Sequence, residues 1–263
     1  MHEPLLHISW WHMPAMLAPL IVVLLINKTY QLAVGRSITI ATLRSMIQLA
    51  AVGMIIGWVF EQRTWYTILS LLAVMTFVAS FTAAGRFKLK LHGYRGALSL
   101  ILAGTTAIAL SYFALAVVGL KTWDPRYLIP IGGMLLGNTM TASTLAADRL
   151  HSAIKDKRHD ILTMLAMGAA PKQTLIGIRQ QVLKAAMTPT INTMMVVGVV
   201  QLPGMMTGQM LGGSPPIQAA MYQLMILIGI MVCATIGATL TTQWISQRFF
   251  TSSWQLREEL LRD

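Results

Sequence analysis

The chain reads as long, unbroken apolar runs separated by short polar stretches. Runs long enough to span ~30 Å of hydrocarbon, about 20 residues at helical rise, fall at 9–26, 37–60, 65–84, 97–120, 127–147, 186–202 and 217–245. This pattern predicts an all-α integral membrane protein of about seven transmembrane helices, forming one membrane domain over 1–263. The first run is the weakest, shortened by Pro14 and Pro19 and bracketed by Trp10 and Trp11, which suit the headgroup layer. One stretch departs from the pattern. Asp148 to Lys184 carries seven Lys/Arg and three Asp, and is expected to lie in water.

Composition agrees with the class. Hydrophobic residues make up 55% and charged residues 11%, with a mean hydropathy of +0.63, too few charges to coat a soluble domain of this length. The net charge of +11 sits between the apolar runs rather than in clusters with aromatics, which excludes a nucleic-acid binder and makes the charge a topology signal. The loops 27–36, 85–96, 148–185 and 246–263 hold 16 Lys/Arg, and the alternate loops hold 3. By the positive-inside rule the first set is cytoplasmic, so the N-terminus is expected outside and the C-terminus inside. Cys233 is the single cysteine and excludes an internal disulfide. No basic residue precedes the first run, so a cleaved signal peptide is not expected.

Few residues carry candidate chemistry. His2, His7 and His12 are five apart, a spacing that does not stack on one helix face, and read as interfacial rather than metal-ligating. Arg44 lies about two turns inside the second run, with Gln48 one turn on. A charge there is either a functional residue or a snorkelling anchor. Gly53 and Gly57, and Gly133 and Gly137, form GxxxG pairs that permit close helix packing. In the fifth run Asn138, Thr141, Leu145 and Asp148 share one face, which serves either interhelical hydrogen bonds or a substrate path. Asp148 is hypothesised to pair with Arg44; charge reversals that fail singly and also fail together would sink that pairing.

Gly168 and Pro171 break the polar stretch into helix, turn and helix, the shape of a knob for a partner's groove or of an ordinary hairpin. The uncharged Gly/Pro-rich segment Gln201 to Gln218 predicts either an outer loop or a re-entrant one, and no steady spanning helix. Methionine totals 19, a soft-metal ligand in principle and a flexible apolar filler in most settings.

Three strings, GMLLGNTMTASTLAADRL from Gly133, LAMGAAPKQT from Leu165 and LPGMMTGQMLGG from Leu202, supported by RSMIQL from Arg44, resemble the FetB-like permease family of ABC transporters. The likeness extends over nearly the whole chain and is close to the enterobacterial member. It implies a permease of the bacterial inner membrane that exports iron and aids resistance to oxidative stress. It also implies a FetA-like ATP-binding subunit as partner, with two permeases and two ATPases per transporter. The lipid bilayer is the other partner, and no nucleic acid is expected. ATP would be used by the partner, since no Walker A string is present and this chain is expected to bind no cofactor and catalyse nothing itself.

The implied coupling residues are Asp160, Leu165, Ala166, Met167, Gly168, Ala169, Ala170 and Pro171. Many such segments carry Glu-Ala six residues before the glycine; here that position is Leu162, and the nearest acid is Asp160. Candidate path residues are Arg44, Gln48, Asn138, Thr141, Asp148, Met205, Met206, Gln209 and Met210. The rival readings are a self-contained secondary transporter or channel, for which no internal repeat is visible, and an ABC permease for a softer metal or an amphipathic cargo.

Overall fold

The computed structural model describes residues 12–62, 64–87, 91–113 and 124–261. Among them are ten α-helices and no sheet. They are α1 (His12–Thr29), α2 (Gly35–Gln62), α3 (Trp65–Arg86), α4 (Tyr94–Tyr112) and α5 (Pro125–Asp156), then α6 (Arg158–Ala166), α7 (Pro171–Thr174), α8 (Ile176–Val196), α9 (Gly204–Leu211) and α10 (Pro216–Arg248). A 3-10 turn, Glu258–Leu260, closes the described chain. The seven longest helices fall on the seven apolar runs. Four of them, α2, α3, α4 and α10, are long and apolar enough to cross a membrane. Trp10, Trp11, His2 and His7 lie outside the described residues.

The chain divides into two compact units, Met1–Glu61 and Gln62–Asp263. In the first, α1 and α2 are joined by a tight turn. Gln31 and Ala33 adopt positive φ of 50° and 54°, and the Asn27 carboxamide oxygen accepts from the Val34 N–H at 3.0 Å. A Cβ at Gly35 would lie 2.6 Å from Asn27 Nδ2, so a side chain there would push on the carboxamide that holds the turn.

The second unit is organised around α5 and α10, which pack along each other; α5 also touches α3, α4 and α8. α5 starts cleanly: Asp124 caps it by accepting from the Arg126 N–H at 3.0 Å, and Pro125 occupies the first turn, where a missing N–H costs nothing. Its 32 residues span about 48 Å at helical rise, against ~30 Å of hydrocarbon. The surplus is the Asp148–Asp156 end that the sequence places in water.

Small residues let these helices approach. A Cβ at Gly237 of α10 would collide with the Thr139 methyl and come within 3.0 Å of Ser143 Oγ, both on α5 and fully buried. Gly132 and Gly133 play the same part toward Leu72 and Met75 of α3, while Gly137, Gly53 and Gly57 meet nothing within 4 Å. Close packing therefore uses the first glycine of the Gly133/Gly137 pair and its neighbour. Between α3 and α4 the Ser99 hydroxyl donates to Ser80 Oγ at 2.7 Å, the kind of polar link that holds helices where no water competes.

One boundary differs from the sequence reading. The sixth run was expected to continue to 202, whereas α8, which begins at Ile176 within the second helix expected after Pro171, ends at Val196. Gly198, at φ +84°, turns the chain, and residues 197 and 201 close that turn by a bridge. The Gly/Pro-rich segment also contains a helix, α9, of eight residues. At about 12 Å it is too short to span.

The tail after α10 folds back onto α5. Phe249 is fully buried and stacks on His151 at 6.2 Å between ring centroids, Leu256 and Leu261 join the same core, and Arg158 Nη2 donates to Glu258 Oε1 at 2.6 Å.

Candidate functional site

Two features of the second unit bear on function, and one connection joins them. The first is an open cavity of about 190 Å3 lined by α5, α8, α10 and the 197–203 turn. From α5 come Asn138 and Thr141, one turn apart on the helix's exposed face; from α8 come Ala186, Pro189, Thr190 and Thr193. Gln201 and Pro203 close one side, and Gln223 of α10 another. Pro189 sits inside α8, so the Ala185 carbonyl lacks its i+4 donor and the helix is locally weakened at the cavity.

The lining is of mixed polarity. Asn138 Nδ2 donates to the Met134 carbonyl at 2.8 Å, Thr141 Oγ1 to Gly137 at 2.9 Å and Thr193 Oγ1 to Pro189 at 3.0 Å. The second Asn138 N–H and the Gln201 and Gln223 carboxamides add donors as well as acceptors. Gln223 is 6% exposed, and its Oε1 has no hydrogen-bond partner. It faces a cavity roomy enough for water, so the oxygen is open to a donor that enters there. No charged, histidine, cysteine or methionine side chain among the described residues lines this cavity. Among the described residues, no group of three or more His, Cys, Asp and Glu is arranged to hold a metal ion.

The second feature is the break between α5 and α8. α6 roots its apolar side in the core through Ile161, and α7–α8 through Thr174 and Leu175, all buried. The tip is the reverse: Ala166, Met167 and Gly168 are exposed, Met167 by 75%. Gly168 has φ +88° and open space around its missing Cβ. Its N–H is bonded to the Leu165 carbonyl at 2.9 Å, and the Ala169 N–H to the Met164 carbonyl at 3.0 Å. These bonds finish α6 in a glycine-dependent cap. Gln173 Oε1 accepts from the Ala170 N–H at 2.9 Å, and Pro171 opens α7. Asp160 lies exposed in the first turn of α6, and Ala169, Ala170 and Pro171 are half-buried. The turn is thus a short, rigid, apolar-tipped projection. It is covalently continuous with α5 and α8, the helices that carry most of the cavity wall.

Of the path residues expected from sequence, the structure brings only Asn138 and Thr141 to the cavity. Asp148 is exposed, about 15 Å further along α5. Met205, Met206, Gln209 and Met210 lie on α9 and not in the lining, with Met205 packed on the α5–α10 core. Arg44 and Gln48 belong to α2 in the other unit and are exposed there. Thr190, Thr193, Gln201 and Gln223 were not anticipated. The available signal for Gln223 was a carboxamide about two turns into the most apolar run.

Apolar helices packed through glycines around a charge-free polar cavity define a helical membrane protein. The sequence signature of the uncharacterised protein family UPF0014 matches residues 10–250, and the chain belongs to that family. It is 37% identical to a UPF0014 membrane protein of Synechocystis, over 81% of this chain and 83% of that one. It is 32% identical to the UPF0014 membrane protein YjkA of Bacillus subtilis, over 90% and 94%. The Escherichia coli protein described as a probable iron export permease, FetB, is 28% identical over 90% of each chain. The enterobacterial member that the motifs resemble is therefore a relative, and the cyanobacterial protein is more similar to this chain than it is. No solved structure matches.

Proposed function

We propose that this chain is the membrane-spanning permease subunit of an ATP-driven exporter, moving iron out of the bacterial cytoplasm through the inner membrane. A FetA-like ATPase supplies the energy, two permeases pair with two ATPases, and export of iron limits oxidative stress. The likeness to a protein described as a probable iron export permease supports the cargo.

The observation that carries the mechanism is the connection just described. A rooted, apolar-tipped turn (Ala166–Gly168) joins α5 to α8, and those two helices wall the cavity. Closure of an ATPase dimer against the turn moves α5 and α8 as levers, switching the cavity between two packings with opposite access. Asp160, Leu165, Ala166, Met167, Gly168, Ala169, Ala170 and Pro171 form the docking surface in this reading, placed on the cytoplasmic side by the charge bias of the loops. Asn138 and Thr141 lie on the cargo's path.

The test is co-purification from membranes with a FetA-like ATPase, followed by ATP hydrolysis with and without this chain. Association and stimulation are expected. Iron movement by the chain alone, driven by a gradient and indifferent to any ATPase, would instead make it a secondary transporter or channel.

A further inference from the structure

We propose that the pocket where α7, the start of α8, the end of α10 and the C-terminal tail meet binds the phosphate headgroup of an anionic phospholipid, held by Lys172 and Arg179. The site is separate from the polar cavity, and the proposal goes beyond the transport reading without resting on it.

The charge around this pocket is of one sign. It is an open cavity of about 400 Å3; Lys172 and Arg179 both line it, and no carboxylate among the described residues does. Neither cation makes an ion pair or a side-chain hydrogen bond among the described residues. Arg179 is half-buried, where a guanidinium without a counter-charge is poorly solvated and an entering anion is favoured. Lys157, by contrast, is an exposed cation outside the pocket.

The walls are amphipathic. Leu175 and Phe250, both buried, form an apolar base beside the two cations. A phospholipid brings both parts, a phosphate for the cations and an apolar glycerol ester region for the base. A free anion would leave the apolar wall wet.

The pocket also lies at headgroup level. Gln243 and Gln247 line it from the last two turns of α10, a helix long and apolar enough to cross a membrane. Its 33 residues extend about 50 Å against ~30 Å of hydrocarbon. Its last turns therefore reach the headgroups, on the side that the loop charges make cytoplasmic. Trp254, 57% exposed at the pocket, suits the same layer. Its φ of +63° is a conformation that bulky residues rarely adopt, and strained residues gather at ligand sites. The turn that holds it is closed by the Thr251 N–H on the Gln255 carbonyl at 2.9 Å and the Trp254 N–H on the Thr251 carbonyl at 3.1 Å. Basic pockets between helices at this level are where anionic headgroups dock.

The experiment titrates the full chain, purified in a neutral detergent, with phosphatidylglycerol and in parallel with phosphatidylcholine of the same acyl chains. Bound lipid is counted by native mass spectrometry, and Tm is followed. The proposal predicts one phosphatidylglycerol held more tightly than any phosphatidylcholine, with Tm rising as the site fills. Lys172→Gln and Arg179→Gln each weaken that site by about tenfold, the loss of a hydrogen bond to a charged group, and leave phosphatidylcholine binding unchanged. Lys157→Gln removes the same charge outside the pocket and leaves both lipids bound as before. Unchanged Tm without added lipid verifies each variant's fold.

Equal binding of the two lipids, or an equal loss from Lys157→Gln, would overturn the proposal by reducing it to general charge attraction. Displacement of phosphatidylglycerol by inorganic phosphate at a similar concentration would overturn it in favour of a soluble phosphate. If Arg179→Gln kept its phosphatidylglycerol but lost association with the ATPase, the pocket would belong to an acidic group of that partner instead.

Discussion

Gly168 separates docking from folding more sharply than any other position on the projecting turn. Its φ of +88° lies where a side chain costs about 1–2 kcal/mol, and no heavy atom stands within 4 Å of the missing Cβ. Alanine and tryptophan at this site therefore suffer the same backbone strain, and neither Cβ meets a neighbour. Against a typical domain stability of about 5–15 kcal/mol, both variants stay folded, with Tm lowered by roughly 2–4 °C per kcal/mol. What differs is bulk at the tip beside exposed Met167. If the tip inserts into a groove of the ATPase, Gly168→Ala retains association and stimulation of ATP hydrolysis, while Gly168→Trp loses at least about tenfold in affinity, some 1.4 kcal/mol. The assay is ATPase activity of the purified partner titrated with each nanodisc-embedded variant. Equal stimulation by Ala and Trp would refute the placement of the coupling surface at 160–175, whatever the Tm values.

Three further outcomes follow from the packing. Gly237→Val, which drives a branched side chain into buried Thr139 and Ser143, lowers detergent Tm by the equivalent of about 1–3 kcal/mol or more; Gly137→Ala, with nothing in its way, leaves Tm unchanged or raises it. Phe249→Ala empties a fully buried site under the C-terminal tail, costs about 3–5 kcal/mol, and speeds hydrogen exchange at the end of α5; unchanged exchange there would remove the tail from the core. Glu258→Ala breaks a pair whose side chains are each about 40% exposed, so it costs under about 1 kcal/mol and less in high salt, visible as a small, salt-sensitive change in Tm.

Hydropathy alone located the long helices, because a helix inside hydrocarbon must be apolar over most of its length whatever it packs against. The same signal overran the end of α8. Its first turns carry Arg179, Gln180, Gln181 and Lys184 and lie outside the apolar run, yet the helical pattern after Pro171 was legible there, and Leu175, Ile178 and Val182 bury one side. Its end is fixed by the backbone of Gly198 rather than by hydropathy, which continues through Leu202.

The glycine turn at Gly168 was legible because helix termination leaves a chemical mark. The tail's return onto α5 was not, since Phe249 and Phe250 at the end of a span resemble an interfacial pair until a partner surface is visible. The cavity was half legible. Asn138 and Thr141 recur on one helix face and betray themselves by period, whereas Thr190, Gln201 and Gln223 come from three separate segments that only packing brings together. Met205, Met206 and Met210 lie on α9, off the wall of this cavity, a placement their number in the sequence did not indicate.

The most direct test of the central claim is iron movement in sealed proteoliposomes that hold the chain with its ATPase, oriented with the nucleotide sites outward. Fe(II) is supplied outside and an iron-quenched dye is trapped inside. The account predicts that ATP added outside drives iron into the lumen against its gradient, and that Gly168→Trp cuts the signal by about tenfold or more. Equal iron entry without ATP, or entry unaffected by loss of the ATPase, would contradict it.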